Sequence, residues 1–263
     1  MGLLTKANLM ELNKRLAFSD FIIKYKITTF AVFKKKEKSF FIQNSLGFDG
    51  KSIIESISTE DFWKGCCKEI NTVYNFNIDQ KDNPLLQFFS FKIIDDIKSV
   101  SVVRKEDTIL LLGNIEITDS ILKDFSNLAF NPPLFDINKL NNLVCQNSNF
   151  YKFDIDFDEA IQTFIYTSLN NKNYSKEFSL SLFNELSNRI LFTFNSPDTS
   201  VKIFDNRIKT IFVSKQEISK ELFTNHLILN YKSVIDNAAE VINIEYCGKA
   251  ESFNEIKDFL KVE

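Results

Sequence analysis

Two pairs of apolar runs, each folded about a short polar break, constrain this chain more than any other feature. In the first pair "TTFAVF" is followed by "KKKEK" and then "SFFIQNS"; in the second, "SVSVV" and "TILLL" flank "RKED". Short runs rich in β-branched and aromatic residues read as strands, and two of them around a tight polar connection read as a hairpin. A chain with two hairpins must cover at least one face of an antiparallel sheet, and the segments between them supply the cover. Leu9, Leu12, Leu16 and Ile23 fall on one helical stripe, which predicts a helix from about residue 3 to residue 25. "GKSIIESI" and "STEDFWKGCCKEI" read as short helices, the second capped by Ser58 with Glu60 and Asp61 in the first turn, where the helix dipole favours acids. "NPLLQFFSFKIIDDI" reads as helix, and Thr118 caps "DSILKDFSNLAF".

After "NPP" comes an Asn-rich run, "NKLNNLVCQNSN", and together they mark a boundary at 131–149. Beyond it "DFDEAIQTFIYTSL" and "SKEFSLSLFNELSNR" read as helices, and "ILFTF", "SVKIF" and "IKTIFVS" as strands. Ser214 and Glu217 have the spacing of a capping box for the helix that follows; Ser252 and Glu255 do the same for the last one, after the strand "VINIEY". "EITDSIL" and "EISKEL" each open a helix just after an apolar strand, which fits either a tandem duplication or shared strand-to-helix chemistry. The expected architecture is α+β: two α/β domains with mainly antiparallel sheets, at 1–130 and 150–263, joined by a linker at 131–149.

At 44% hydrophobic and 25% charged residues, the composition is that of an ordinary globular protein. A net charge of −3 gives no global basic field, so neither nucleic acid nor a membrane surface is an expected partner. "KKKEK" is read as a hairpin tip kept soluble by Lys. No run approaches the ~18 apolar residues that span a bilayer. The N-terminal stretch is broken by Lys6, Asn8, Glu11 and Asn13, and Lys6 stands where myristoylation wants Ser or Thr; the expected compartment is cytoplasmic. Cys66, Cys67, Cys145 and Cys247 lack the paired spacing of zinc sites and read as reduced thiols.

"NSLGFDGKSII", residues 44–54, carries the back half of a phosphate-binding loop in Gly50-Lys51-Ser52. Ser45 occupies the place of the first Gly, Asp49 would set a carboxylate beside the phosphates, and the preceding strand belongs to a hairpin rather than a parallel sheet. Among downstream strand ends only Asp205 could stand in for the Mg²⁺-holding acid. The stretch is therefore read as a turn in which Gly47 and Gly50 permit positive φ and Asp49 or Ser52 caps the next helix. Asp154, Asp156 and Asp158 begin a calcium-loop spacing, but Glu159 and Ile165 stand where Gly and Glu are needed. His226 is the only histidine and has no second ligand at helical spacing except Asn225 or Asn230. Adjacent acids such as Asp95-Asp96 and Glu60-Asp61 diverge on helices. No catalytic residue, metal site or cofactor is assigned. Trp63 is read as core, or as lining a ligand pocket or a partner interface.

"TTFAVFKKKEKSFFIQNSLGFDGKSI" resembles the opening hairpin of GAF-type sensory domains, and "KSVSVVRKEDTILLLGNIEITDSILKDF" resembles their closing hairpin and final helix. PAS and other profilin-like α/β domains share this element order. The resemblance implies a non-enzymatic regulatory or signalling protein, sensing a small ligand or docking a partner, with Phe30, Phe41, Trp63 and Val102 as the apolar wall. Two alternatives stand beside it: an enzyme with a carboxylate and Lys site between the domains, and a scaffold that dimerises through its N-terminal helix.

Overall fold

The computed structural model describes residues 16–78, 83–89, 93–129, 149–169, 174–193, 199–204, 207–214 and 217–260. It is a mixed α/β protein built on antiparallel sheets. The first half runs β1 (Leu16–Ala17), α1 (Phe18–Tyr25), β2 (Phe30–Lys36), β3 (Ser39–Leu46), α2 (Gly50–Glu55), β4 (Ser58–Thr59), α3 (Glu60–Cys66), β5 (Val73–Asn77), two 3₁₀ turns (Pro84–Phe88 and Ile94–Asp96), β6 (Ser99–Lys105), β7 (Thr108–Gly113), α4 (Asp119–Ser126) and β8 (Leu128–Ala129). Both expected hairpins form, β2–β3 and β6–β7. They join through β2 and β7, with Phe30 opposite Leu112 and Phe33 opposite Ile109. The sheet order is β4-β3-β2-β7-β6-β5.

Alternation along these strands sends side chains to two separate layers. Phe30, Val32, Leu46, Val103, Leu110 and Leu112 pack under Phe21 and Ile22 of α1 and Ile121 and Phe125 of α4. On the opposite face Phe33 meets Trp63 edge to face, and Trp63 stacks on Phe88 at 5.3 Å. The sheet is thus covered on both sides.

The second half runs β9 (Asn149–Asp156), α5 (Asp158–Ser168), α6 (Ser175–Thr193), β10 (Thr199–Phe204), β11 (Arg207–Ser214), α7 (Lys220–Ile235), a 3₁₀ segment (Asp236–Val241), β12 (Asn243–Ala250) and α8 (Phe253–Leu260). Its sheet order is β10-β11-β9-β12, all antiparallel. Phe153 and Ile155 of β9 face the helical layer of α5, α6 and α7, while Phe150 and Ile211 face Ile256 and Leu260 of α8.

Several expectations change. The helix predicted over 3–25 is, among the described residues, Phe18–Tyr25 only; Leu16–Ala17 is a short strand paired parallel with Leu128–Ala129, so tertiary pairing overrides the helical stripe. The described residues of "NPLLQFFSFKIIDDI" form two 3₁₀ turns rather than a helix, the first capped by Asn83, whose side chain accepts from the Leu85 amide. Thr59, not Ser58, caps α3, because the Ser58 hydroxyl accepts from Trp63 Nε1 at 2.8 Å. Thr118 caps α4 as expected. "ILFTF" is not a strand through Thr193, since α6 runs on through Ile190: nothing between Arg189 and Ile190 breaks it, and extending a helix is cheaper than starting a strand. Ser219 caps α7 in place of the box at Ser214, which ends β11. The Ser252–Glu255 box forms, Ser252 Oγ accepting from the Glu255 amide. Residues 1–15 and 130–148, and with them most of the predicted linker and Cys145, lie outside the described residues, as does Asp205.

Candidate functional site

The GKS stretch is a turn out of an antiparallel hairpin. Gly47 sits at φ +89°, where only glycine is comfortable. Asp49 caps α2, its Oδ1 accepting from the Ser52 amide at 2.7 Å. Gly50 does not have positive φ, which corrects half of the expectation. It is glycine because a Cβ there would lie 2.5 Å from the Phe164 ring and 2.8 Å from the Val234 carbonyl oxygen.

The amides of this turn do hold an anion, one supplied by the chain itself. Glu185 on α6 is fully buried. Its Oε1 accepts from the Gly47 amide at 3.0 Å and the Phe48 amide at 3.2 Å, and its Oε2 from the Ser45 hydroxyl at 2.7 Å. Arg189, one turn on, donates Nε to Oε1 at 2.8 Å, Nη2 to the Phe48 carbonyl at 3.1 Å and Nη1 to the Ser233 hydroxyl at 2.5 Å. Burial pushes the Glu185 carboxyl above its ordinary range, while Arg189, the Ser45 hydroxyl and the Gly47 amide pull it back. A triphosphate could reach those amides only by expelling a carboxylate that Arg189 and Ser45 pin in place.

The same helix covers the open edge of β3. Only Ser39 and Phe40 pair with β4, so beyond them the edge lacks a strand partner among the described residues. Ser181 Oγ donates to the Ile42 carbonyl, Asn184 Nδ2 to the Gln43 carbonyl at 2.6 Å, and Asn188 Nδ2 to the Ser45 carbonyl at 2.7 Å and to Asn44 Oδ1. Polar side chains at helical spacing thus replace a neighbouring strand.

A cleft of about 580 Å³ opens beside this seam, between α2, α5 and the end of α7. Asp49, Lys51 and Glu55 stand on one wall and Lys232, Ser233 and Asp236 on another; Ile54, Phe164 and Ala238 are its apolar part. Lys51 is exposed, with Glu55 at 3.8 Å, and Lys232 reaches Glu240 at 3.0 Å. Asp236 holds φ +23° just beyond the last turn of α7.

The four residues read as an apolar wall do not converge. Trp63 and Val102 share one sheet face, whereas Phe30 belongs to the layer under α1 and α4. Phe41 alternates with Phe40 and packs on Tyr174 and Phe178 beside α6. All four are buried. Among the other sequence candidates, Asp154 pairs with Arg207 at 2.6 Å, Asp156 accepts from the Asp158 amide, and Asp158 opens α5, so the three acids serve separate ends. His226 lies exposed on α7 between Leu222 and Leu229. Cys66, Cys67 and Cys247 are free thiols, and burial pushes the Cys67 thiol up to about 12. Glu60, which divergence on a helix had set aside, instead gathers Lys35, Lys64 and Arg104, and these hold its carboxyl down at about 2. Among the described residues no helix is long and apolar enough to cross a membrane.

Sequence reasoning missed Glu185, Arg189 and the cleft. The available signal was the stripe Ser181, Asn184, Glu185, Asn188, Arg189 running beside the apolar stripe Leu182, Leu186, Ile190. A helix this polar on one face reads as solvated until its neighbour is known. Comparison with protein-family models, curated proteins and solved structures finds no match.

Proposed function

We propose that the chain is a non-enzymatic regulatory protein that acts by docking a partner, with a GAF/PAS-like N-terminal half as its framework. One observation carries the choice of docking over sensing inside the sheet: Trp63, stacked on Phe88 and flanked by Phe33 and Phe62, fills the face where a sensory ligand would sit. The framework reading is supported by element order: α1, the β2–β3 hairpin, a glycine-bearing turn into α2 and α3, then the β6–β7 hairpin and α4. Leu222 and Leu229, two turns apart on α7, are 71% and 67% exposed and offer a docking face. In-cell crosslinking of the Leu222→Lys/Leu229→Lys variant tests it. Loss of the crosslinked partner from a variant with wild-type melting supports docking there; an unchanged crosslink pattern removes it.

The enzyme reading keeps one specific support, the lysines and acids that the cleft collects from both halves. Turnover of generic ester, phosphoester or glycoside substrates, abolished by Asp49→Asn or Asp236→Asn, would establish it in place of docking.

A further inference from the structure

We infer that the cleft between α2, α5 and the end of α7 binds a small amphipathic zwitterion, of the class of unblocked dipeptides and free amino acids. Its volume of about 580 Å³ lies in the range of small-molecule sites. Three carboxylates (Asp49, Glu55, Asp236) and two ammonium groups (Lys51, Lys232) line it, so each main wall carries both signs. A nucleotide or other polyanion would face the carboxylates, and a polyamine the lysines. A molecule with one ammonium and one carboxylate can satisfy both, while its side chain lies on Ile54, Phe164 and Ala238.

The charges are available at little cost. The Lys51–Glu55 and Lys232–Glu240 pairs are solvent-exposed and at 3.8 and 3.0 Å, the kind of contact a ligand carboxylate displaces easily. Two built features point to the same place. The apolar part closes only because residue 50 lacks a Cβ that would run into Phe164 and the Val234 carbonyl. At the rim Asp236 is held at φ +23°, a conformation an L-residue adopts only when its surroundings impose it, and such strain gathers at ligand sites. Ser233 carries occupancy inward: it accepts from Arg189, which holds Glu185 on the Gly47 turn. A ligand that takes the Ser233 hydroxyl loosens Arg189, and through it the Arg189–Phe48 and Glu185–Gly47 contacts that join the two halves. This goes beyond the docking reading and does not depend on it.

Calorimetric titration of the full chain with glycyl-leucine and leucine, beside N-acetyl-leucinamide as the uncharged counterpart, tests the inference. Saturable binding of the unblocked molecules and none of the blocked one is expected. Lys232→Met and Asp236→Asn should each weaken it about tenfold, the scale of one lost charge contact; Asn matches Asp in shape and asks nothing new of the backbone, and an unchanged thermal melt of the variant confirms that it keeps the fold. No saturable binding of either zwitterion, equal binding of the blocked compound, or unchanged affinity in both variants would overturn it. Each of these leaves the Leu222/Leu229 crosslinking result standing.

Discussion

Glu185 shows how much one side chain can decide. It is a carboxylate with no exposure, satisfied by two amides, a hydroxyl and a guanidinium. Removing one partner of a buried pair strands the other, at a cost of about 3–5 kcal/mol. Glu185→Ala should therefore lower the urea-denaturation stability by that order, and Glu185→Gln by less, because the amide oxygen can still accept from the turn. Equal stability of Glu185→Ala and wild type would mean the seam is not held by this group. Two glycines bracket the steric argument. Gly50→Ala forces a Cβ against an aromatic ring and a backbone carbonyl and should destabilise strongly; Gly65, inside α3 with nothing within 4 Å of its added Cβ, should gain about 0.5–1 kcal/mol on becoming Ala. Paired thermal melts read the opposite signs. Glu60 supplies the pH dependence. Its folded-state carboxyl is depressed to about 2 by Lys35, Lys64 and Arg104, so the stability it contributes is present above the ordinary carboxylate value and is lost as pH falls through its folded value. The gap in denaturation midpoint between wild type and Glu60→Gln should narrow as pH drops from about 5 toward 2; a gap constant over that range would refute the ion-pair account.

At the scale of elements, the hairpins were legible because their signal is local: apolar runs on either side of a polar tip, as in Ile42 opposite Phe33 across "KKKEK". Helix caps read from sequence were right where the side chain has no other suitor, as with Thr118 and Ser252, and wrong where a tertiary partner claims it, as Trp63 claims Ser58. β5 was invisible because "VYNFN" puts two asparagines where strands favour β-branched residues; it exists because β6 offers it a ladder. The site was less legible still. Its members Gly47, Glu185 and Ser233 are far apart in the chain, and only the docking of α6 on β3 brings them together. That docking makes its own prediction. Asn188 Nδ2 serves both Asn44 Oδ1 and the Ser45 carbonyl, all in a buried setting. Asn188→Leu should cost about 1–3 kcal/mol for each acceptor left dry, despite the added apolar surface. A variant as stable as wild type in urea would show that water reaches the β3 edge.

For the molecule as a whole, the question is whether the halves on either side of residues 130–148 behave as one unit. They are not joined by a polar film. Phe41 packs on Tyr174 and Phe178, and one contiguous apolar cluster runs from Phe33, Phe40 and Trp63 through Leu182 and Leu186 to Phe153 and Tyr231. The β3 edge and the Gly47 turn take their remaining hydrogen bonds from α6. If either half unfolded alone, the other would expose this apolar surface together with a set of dry carbonyls and amides, penalties that act together. Partial unfolding is then disfavoured against global unfolding, the condition for a single cooperative transition. Scanning calorimetry of the full chain should give one endotherm whose calorimetric and van't Hoff enthalpies agree. Glu185→Ala strains the coupling at its polar centre. It should lower the transition temperature and, if the apolar cluster alone cannot hold the halves together, split the endotherm in two. Two resolved transitions already in the wild-type chain would mean that the seam is a docking contact between independent folding units, and the ligand cleft beside it a hinge rather than a fixed site.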